Sequence, residues 1–190
     1  MRAGVARRLC KETYMTLNIT RRSALAVAGA LGATGLAGIG TSQAAGLPSP
    51  QGKVILTISG NIKATNLNDT AVFDMAMIEA IGLESFSTTT PWYNGPVKFE
   101  GVRVSKLLDL VGATGTTVTA LALNDYKTDI PLDDFRKYPA LMATKRDGAY
   151  MPVKDKGPLF IVYPYDSDIT LKHQVYYARS AWQVARRIVK

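Results

Sequence analysis

The chain has 190 residues, a formal net charge of +8 at pH 7 and a single cysteine. Its first 44 residues hold six basic residues and one acidic residue, so the remaining 146 residues carry only +3. That is an ordinary value and gives no support to nucleic-acid binding. The 146 residues suffice for one domain with a real hydrophobic core.

The first 44 residues have the layout of a secretory signal. Arg21 and Arg22 precede an uncharged run rich in Gly and Ala over residues 23–40, and small residues around Ala44 suit cleavage. A retained membrane anchor is disfavoured, because Gly and Ala make a poor spanning helix and the run is at the short limit for one. We therefore expect a twin-arginine-like signal, cleaved near Ala44, and a periplasmic protein. The bulky residue usual two places after the arginines is missing, which leaves general secretion open as the route.

The only cysteine, Cys10, lies in this leader. Its removal leaves the mature chain without disulfides, a thiolate metal ligand or a cysteine nucleophile. Residues 45–52 are rich in Pro, Gly and Ser, and we expect them to be a linker. Residues 53–190 then form one domain.

The first half of this domain is predicted to mix strands with short helices. In chain order its elements are a strand at 54–58, a helix at 73–81, a strand at 84–90, an extended piece at 97–99 and a helix at 104–111. Asp74 is placed to cap the first helix and Gly82 to end it. Pro91 ends the strand that precedes it, because proline cannot donate to a ladder. Asn94-Gly95 then reads as a turn.

The second half is predicted to be mainly strands, apart from a short helix that starts at 131–135. The strands are expected at 117–123, 126–130, 141–146, 149–153, 157–164 and 180–189. Asp147-Gly148 is a strong hairpin signal between two of them. Segments of both kinds in one chain without repeats indicate a single, strand-rich α+β domain.

The usual catalytic constellations are mostly missing from the sequence. His173, the only histidine, has no nucleophile motif near it and cannot build a zinc site without cysteines. The sequence contains no P-loop and no dinucleotide fingerprint. Asp166-Ser-Asp168 has the first spacing of a calcium loop but lacks the later glycine and glutamate, which favours a solvated turn.

Polar groups at strand ends and turns are the remaining candidates. Asn124, Asp125 and Tyr126 interrupt an apolar strand, either as a turn with a local side-chain bond or as part of a site. Arg146 belongs either to a solvated charged edge or to an anion site, where its planar guanidinium would bind phosphate or carboxylate. Three further cations share its surroundings: Lys145, Lys154 and Lys156. Trp182 either packs in the core, which is favoured, or lines a pocket.

Five segments together resemble a known family. They are FEGVRVSKLLDLVGA at 99–113, LNDYKTDIP at 123–131, LMATKRDG at 141–148, MPVKDKGPLFIVYP at 151–164 and SAWQV at 180–184. In order and spacing they resemble short exported members of the sulfite-oxidase-type molybdopterin-binding fold family. The resemblance spans about residues 54–184 and implies an α+β fold whose core is a mixed, barrel-like sheet with short helices.

The resemblance also shows where this sequence departs from the family. In the catalytic members a cysteine thiolate ligates molybdenum, in the segment before the helix predicted at 104–111. The corresponding segment here is 86–92, FSTTTPW, which has threonines and no cysteine. The family's long cofactor-binding insertions, rich in His and Arg, are also missing. The cofactor therefore stays unknown, since the family implies molybdopterin and the mature chain supplies no thiolate for it.

Three functions compete on this pattern, and we favour the first. In it the domain is a non-catalytic binding or sensor module, with hydroxyl groups, aromatic stacking faces and orienting hydrogen bonds around a small-molecule ligand. The expected binding residues are Thr88, Thr89, Thr90, Trp92, Asn124, Asp125, Tyr126 and Arg146. In the second it is a molybdopterin-dependent oxidoreductase with a thiolate-free metal site. In the third, a patch around Trp92 and Tyr93 is a contact surface. The expected protein partner is an inner-membrane sensor or redox subunit.

Overall fold

A computed structural model describes residues 46–190 of the chain. The predicted export leader, its arginine pair, the cleavage position near Ala44 and Cys10 lie outside the described residues. Residues 46–52, the described part of the predicted linker, contain no helix or strand. Within residues 46–190, no helix is both long and apolar enough to cross a membrane.

Ten strands, four short α-helices and two 3-10 helices, Val153–Asp155 and Ile169–Leu171, make up the regular structure of residues 46–190. The strands are β1 Leu56–Gly60, β2 Ala71–Phe73, β3 Leu83–Thr90, β4 Tyr93–Arg103, β5 Thr117–Ala122, β6 Lys127–Pro131, β7 Leu141–Arg146, β8 Ala149–Tyr150, β9 Phe160–Val162 and β10 Val184–Val189. The helices are α1 Met75–Ala80, α2 Val104–Leu110, α3 Leu132–Lys137 and α4 Gln174–Arg179. The α+β class predicted from the sequence is confirmed.

The strands form two sheets. The first sheet has the order β2-β1-β10-β5-β6. In it β10 runs parallel to β1, and all other neighbouring strands of this sheet are antiparallel. This sheet is therefore mixed, as expected. The second has the order β3-β4-β7-β8, with β9 also paired to β7. The expectation of a barrel-like core was wrong, because β2 and β6 remain edges of the first sheet and the described strands close no barrel.

Side chains from both sheets and from the helices meet in one hydrophobic core. Leu56 and Ile58 reach it from β1, Phe99 from β4, Leu107 from α2 and Phe160 from β9, and all five are fully buried. Burial of such side chains stabilises a fold by about 1.5–3 kcal/mol each. The two sheets are therefore held to each other by apolar packing.

The start of α1 shows how a local sequence signal operates in this fold. The Asp74 carboxylate accepts a hydrogen bond from the Met77 amide at 2.9 Å, which is the predicted helix cap. The same carboxylate accepts bonds from the Gln51 and Gly52 amides, each at 2.8 Å, and so ties the preceding segment to the helix. The helix is shorter than predicted, because its expected first residue, Phe73, ends β2.

The two predicted turns have different outcomes. Asp147 and Gly148 have φ values of 49° and 83° and connect β7 to β8, which confirms the predicted hairpin. Asn94-Gly95 is not a turn. The chain reverses earlier, between Thr90 and Tyr93, and Asn94-Gly95 forms a bulge in β4 where the register shifts. Pro91 and the packing of the following tryptophan thus fix the turn.

Arg187, on β10, is a charged side chain in the core. It is fully buried, and none of its three guanidinium nitrogens has a hydrogen-bond partner among residues 46–190. Its guanidinium carbon lies 5.4 Å from the centre of the Phe135 ring. Burial lowers the pKa of Arg187 to about 9, and the neighbouring Tyr163 opposes this shift. The group is therefore still charged at neutral pH, and a cation–π contact worth about 2 kcal/mol offsets only part of its desolvation.

We expect Arg187→Met to leave the free energy of unfolding unchanged or to raise it by up to about 3 kcal/mol, because the thioether occupies similar space without a buried charge. Urea unfolding at neutral pH measures this. Arg187→Ala is the control, and it should be less stable than Arg187→Met because it also leaves a cavity. A loss of about 3 kcal/mol or more in Arg187→Met would contradict the prediction, since that loss is typical of breaking a paired buried charge.

Candidate binding site: an aromatic pocket

Trp92, in the turn between β3 and β4, is the centre of an aromatic cluster. Its ring meets four others at steep angles, with centroid distances of 5.4 Å to Phe160, 5.7 Å to Trp182, 6.1 Å to Tyr177 and 6.3 Å to Tyr165. Edge-to-face pairs of this kind contribute about 1 kcal/mol each beyond their buried area. The half-buried Trp92 ring is thus firmly held, with one side in the core.

A pocket of about 210 Å³ opens beside this cluster, and we call it the aromatic pocket. Its lining residues are Trp92, Tyr126, Gln174, Tyr177, Ala178, Ser180 and Trp182. The rings of Tyr126 and Trp182 are nearly parallel, at 7° with centroids 6.5 Å apart. The Tyr126 hydroxyl donates a 2.8 Å hydrogen bond to the Ala178 carbonyl, which fixes this wall. Trp182 packs against the core and lines the pocket as well.

The polar groups of the lining fall into two sets. The Ser180 hydroxyl is already bonded, since it donates to the Tyr176 carbonyl at 2.9 Å and pairs with the Tyr165 hydroxyl. Burial raises the pKa of Tyr165 far above its usual value, so that phenol stays protonated. The indole N–H groups of Trp92 and Trp182 and the side-chain polar groups of Gln174 and Tyr177 have no hydrogen-bond partner within the described part of the chain. These groups are the ones left to meet a ligand.

The predicted binding residues Thr88, Thr89 and Thr90 do not line the aromatic pocket. Their polar groups form hydrogen bonds within the protein. Thr88 is fully buried, and its hydroxyl accepts a 3.1 Å bond from the Asp166 amide. Thr89 donates twice to the Asp166 carboxylate, from its amide at 2.6 Å and from its hydroxyl at 2.7 Å. The Thr90 hydroxyl accepts a long, 3.4 Å bond from the Trp92 amide. These contacts attach the loop after β9 to the end of β3.

Asp166 carries this attachment as an ionised group. Lys172 forms a 2.7 Å ion pair with its carboxylate. The Lys172 ammonium, followed by the two Thr89 donors, holds the pKa of Asp166 well below its usual range. The predicted turn at Asp166-Ser-Asp168 is confirmed, with Asp166 and Ser167 exposed, and the contacts of Asp166 join it to the turn that carries Trp92.

The predicted group at 124–126 is a hairpin turn between β5 and β6. Asp125 has a φ of 61°, and the Asn124 carboxamide oxygen accepts a 3.3 Å bond from the Tyr126 amide. Asn124 and Asp125 are exposed and do not line the aromatic pocket. Their place in the structure is to set the direction of Tyr126, which does line it.

Arg146 lies in a bonded triad with Tyr93 and Asp155. Its guanidinium forms a 2.7 Å ion pair with Asp155 and lies 4.4 Å from the centre of the Tyr93 ring. The Tyr93 hydroxyl donates a 3.0 Å bond to the same carboxylate. Burial acts to raise the pKa of Asp155, but the hydrogen bonds from Tyr93 and Arg146 outweigh it and hold that pKa below its usual range. The positive charge of Arg146, which the sequence made a candidate for anion binding, is therefore already paired with Asp155.

Lys156, one of the lysines that the sequence places around Arg146 as a solvated edge or an anion site, is the cation next to the pocket. Its ammonium nitrogen lies 4.7 Å from the centre of the Tyr93 ring and 5.6 Å from that of Trp182. Lys156 has a φ of 64°, and its carbonyl accepts a 3.1 Å bond from the Gln183 amide. Only the fold brings this lysine to Trp182, so the local pattern gave the cation but not its aromatic neighbours. The pair Tyr176-Tyr177, on the short helix α4, was the sequence feature that could have indicated Tyr177 as a lining residue.

We expect Asp166→Asn to lower the free energy of unfolding by about 1 kcal/mol at neutral pH, because Thr89 and Lys172 both bind the ionised carboxylate in a partly solvated site. The folded pKa lies below the unfolded one, so this contribution is complete above about pH 4 and is lost as the pH falls below it. The difference between wild type and variant in urea unfolding should therefore shrink in acid. Asp133→Asn, at an exposed ion pair with Arg136, should show almost no difference at any pH. A pH-independent difference for Asp166→Asn would contradict the prediction.

Comparison with known proteins adds one match to this geometry. A family model described as oxidoreductase molybdopterin binding domain matches residues 68–166, slightly more than half of the chain. No curated protein matches the chain. The matched span contains Trp92, Tyr126 and Lys156, and it ends at Asp166. The chain belongs to the oxidoreductase molybdopterin-binding domain family, as the resemblance of its sequence blocks predicted.

Proposed function

We propose that this domain binds a small aromatic molecule in the aromatic pocket and acts as a binding or sensor module. The observation that carries the proposal is the pocket itself, where two tryptophans and two tyrosines surround about 210 Å³ and no charged side chain lines the space. Apolar concave sites with a few polar groups are typical of small-molecule sites. A cavity of about 150 Å³ holds benzene in another protein, so one substituted ring suits this volume.

The described residues do not fit the cofactor that the family implies. A soft thiolate suits a molybdenum centre, and the only cysteine of the sequence is Cys10, outside the described residues. Residues 46–190 contain no group of three or more His, Cys, Asp or Glu side chains that could hold a metal ion. The aromatic pocket is smaller than the roughly 300 Å³ at which sites for drug-sized molecules begin, and a pterin with its phosphate is of that size.

A second function, a molybdopterin-dependent oxidoreductase with a thiolate-free metal site, is favoured by one observation, the family match. A groove of about 670 Å³, larger than the aromatic pocket, does not support this second function. That groove lies against α1 and α2, and Lys106 and Asp109 are the charged members of a lining that is otherwise apolar. It has one cation for a phosphate and no thiolate for a soft metal.

We place the function outside the cytoplasm, after export and removal of residues 1–44, with an inner-membrane sensor or redox subunit as the protein partner. The charge and apolar pattern of that leader supports the location. A module that reports a ligand to a membrane partner needs a binding site and no catalytic constellation of its own.

We expect one-ring aromatic compounds to change the intrinsic tryptophan fluorescence saturably, because the only two tryptophans of the sequence both line the pocket. Tyr126→Ala should weaken binding about tenfold, since it removes one stacking wall. Tyr150→Ala is the matched control, because Tyr150 is an exposed tyrosine outside the lining. The proposal fails if no compound of a panel at millimolar concentration gives saturation, or if both variants weaken binding equally.

We expect protein purified from the periplasm of a host that makes the cofactor to carry far less than one molybdenum or tungsten atom per chain, and no pterin. Elemental analysis and the fluorescence of oxidised pterin measure the two on one sample. A periplasmic extract without the protein gives the background. Near-stoichiometric metal together with pterin would replace the binding module by the oxidoreductase.

A further inference from the structure

We infer that the aromatic pocket selects planar aromatic ligands that bear a carboxylate or a similar anionic group. This inference rests on the binding function proposed above and adds the chemical class of the ligand. It comes from two independent features of the site, the kind of polar groups left unbonded in the lining and the charge next to it.

The unbonded polar groups of the lining are mainly donors. The indole N–H groups of Trp92 and Trp182 can only donate, while the Tyr177 hydroxyl and the Gln174 carboxamide can donate or accept. The lining has no carboxylate, and its Ser180 hydroxyl is already bonded to Tyr176 and Tyr165. A ligand that offers acceptor oxygens can therefore bond to all four groups, whereas a ligand that offers only donors can bond to Tyr177 and Gln174 alone.

Lys156 supplies a positive charge at the Trp182 wall. Its ammonium is 5.6 Å from the Trp182 ring centre and forms no ion pair within residues 46–190. The nearby carboxylate, Asp155, is bonded through one oxygen to Tyr93 and through the other to Arg146. Lys156 interacts with the Asp155 charge through space but forms no ion pair with it, so its ammonium can still pair with an anion.

The position of Lys156 is fixed by the backbone. The Gln183 amide, one residue after Trp182, donates to the Lys156 carbonyl, and both residues have positive φ values, 64° for Lys156 and 54° for Gln183. Such values are uncommon for residues with a side chain and persist only where the surroundings hold them. The bond joins the backbone of Lys156 to the Trp182 wall, so the lysine side chain starts beside the stacking surface.

An aromatic pocket can also bind a quaternary ammonium ion through cation–π attraction. Here Lys156 already lies against the Trp182 and Tyr93 rings, and a second cation would meet a like charge. No acidic side chain lines the pocket to compensate. The anionic ring is therefore the favoured ligand class, with the neutral ring second.

The test compares three one-ring probes by tryptophan fluorescence and calorimetry on the purified protein at constant ionic strength: benzoate, benzamide and benzyltrimethylammonium. We expect benzoate to bind about tenfold more tightly than benzamide, as a charge-assisted bond would give. Lys156→Gln should remove that preference by weakening benzoate alone, and Lys156→Arg should keep it. Lys154→Gln is the matched control, because it removes the same charge from the same loop. Neither lysine lines the pocket, and only Lys156 lies against the Trp182 ring, whereas Lys154 is exposed.

The outcomes distinguish a failure of this inference from a failure of the proposed binding function. If benzamide binds as tightly as benzoate, or if Lys156→Gln and Lys154→Gln weaken benzoate equally, the anionic class is overturned while aromatic binding stands. If the ammonium compound binds most tightly, the pocket is a cation site and the inference is again overturned. If none of the three binds, the proposed binding function itself fails.

Discussion

The edge-on packing of Trp92 is the interaction on which the candidate site depends. The turn that carries it belongs to the second sheet, whereas Tyr177 and Trp182 belong to the segment that leads into β10 of the first. That segment contains α4, a helix of six residues, which is too short to be stable alone. Its place is set by the aromatic rings it presents to Trp92 and by Asp166, which Thr89 holds. The pocket is the space left where these surfaces meet.

The threonine segment is bonded within the protein. Thr88 and Thr89 bond to Asp166, and hydroxyl and amide donors suit a carboxylate. The segment therefore holds the loop after β9 next to the turn that carries Trp92. The polar groups available to a ligand are the indole N–H of Trp92 and the groups of Gln174, Tyr177 and Trp182, on and after α4.

Local patterns were enough to predict the fold class, the Asp74 cap and the Asp147-Gly148 hairpin, since each depends on a few neighbouring residues. They could not predict that β10 would lie between β1 and β5, because this pairing joins distant parts of the chain. The same limit applies to the site. Trp92 and Tyr126 stood out as exposed aromatics at turns, but the lining residues on and after α4 become neighbours only through long-range packing.

Arg146 is the cation that the sequence favoured for an anion, whereas Lys156 is the cation that the structure leaves for a ligand. Charge pairing explains this difference. Arg146 has the planar geometry that suits an anion, yet a guanidinium beside a carboxylate and a phenol is satisfied within the protein. An ammonium has no such planar fork and lies over the rings of Tyr93 and Trp182 instead. Tyr93 and Arg146 each bind one oxygen of Asp155, whereas Lys156 acts on that carboxylate only through space. The triad therefore stabilises the wall of the site and leaves the Lys156 ammonium without an ion pair among the described residues.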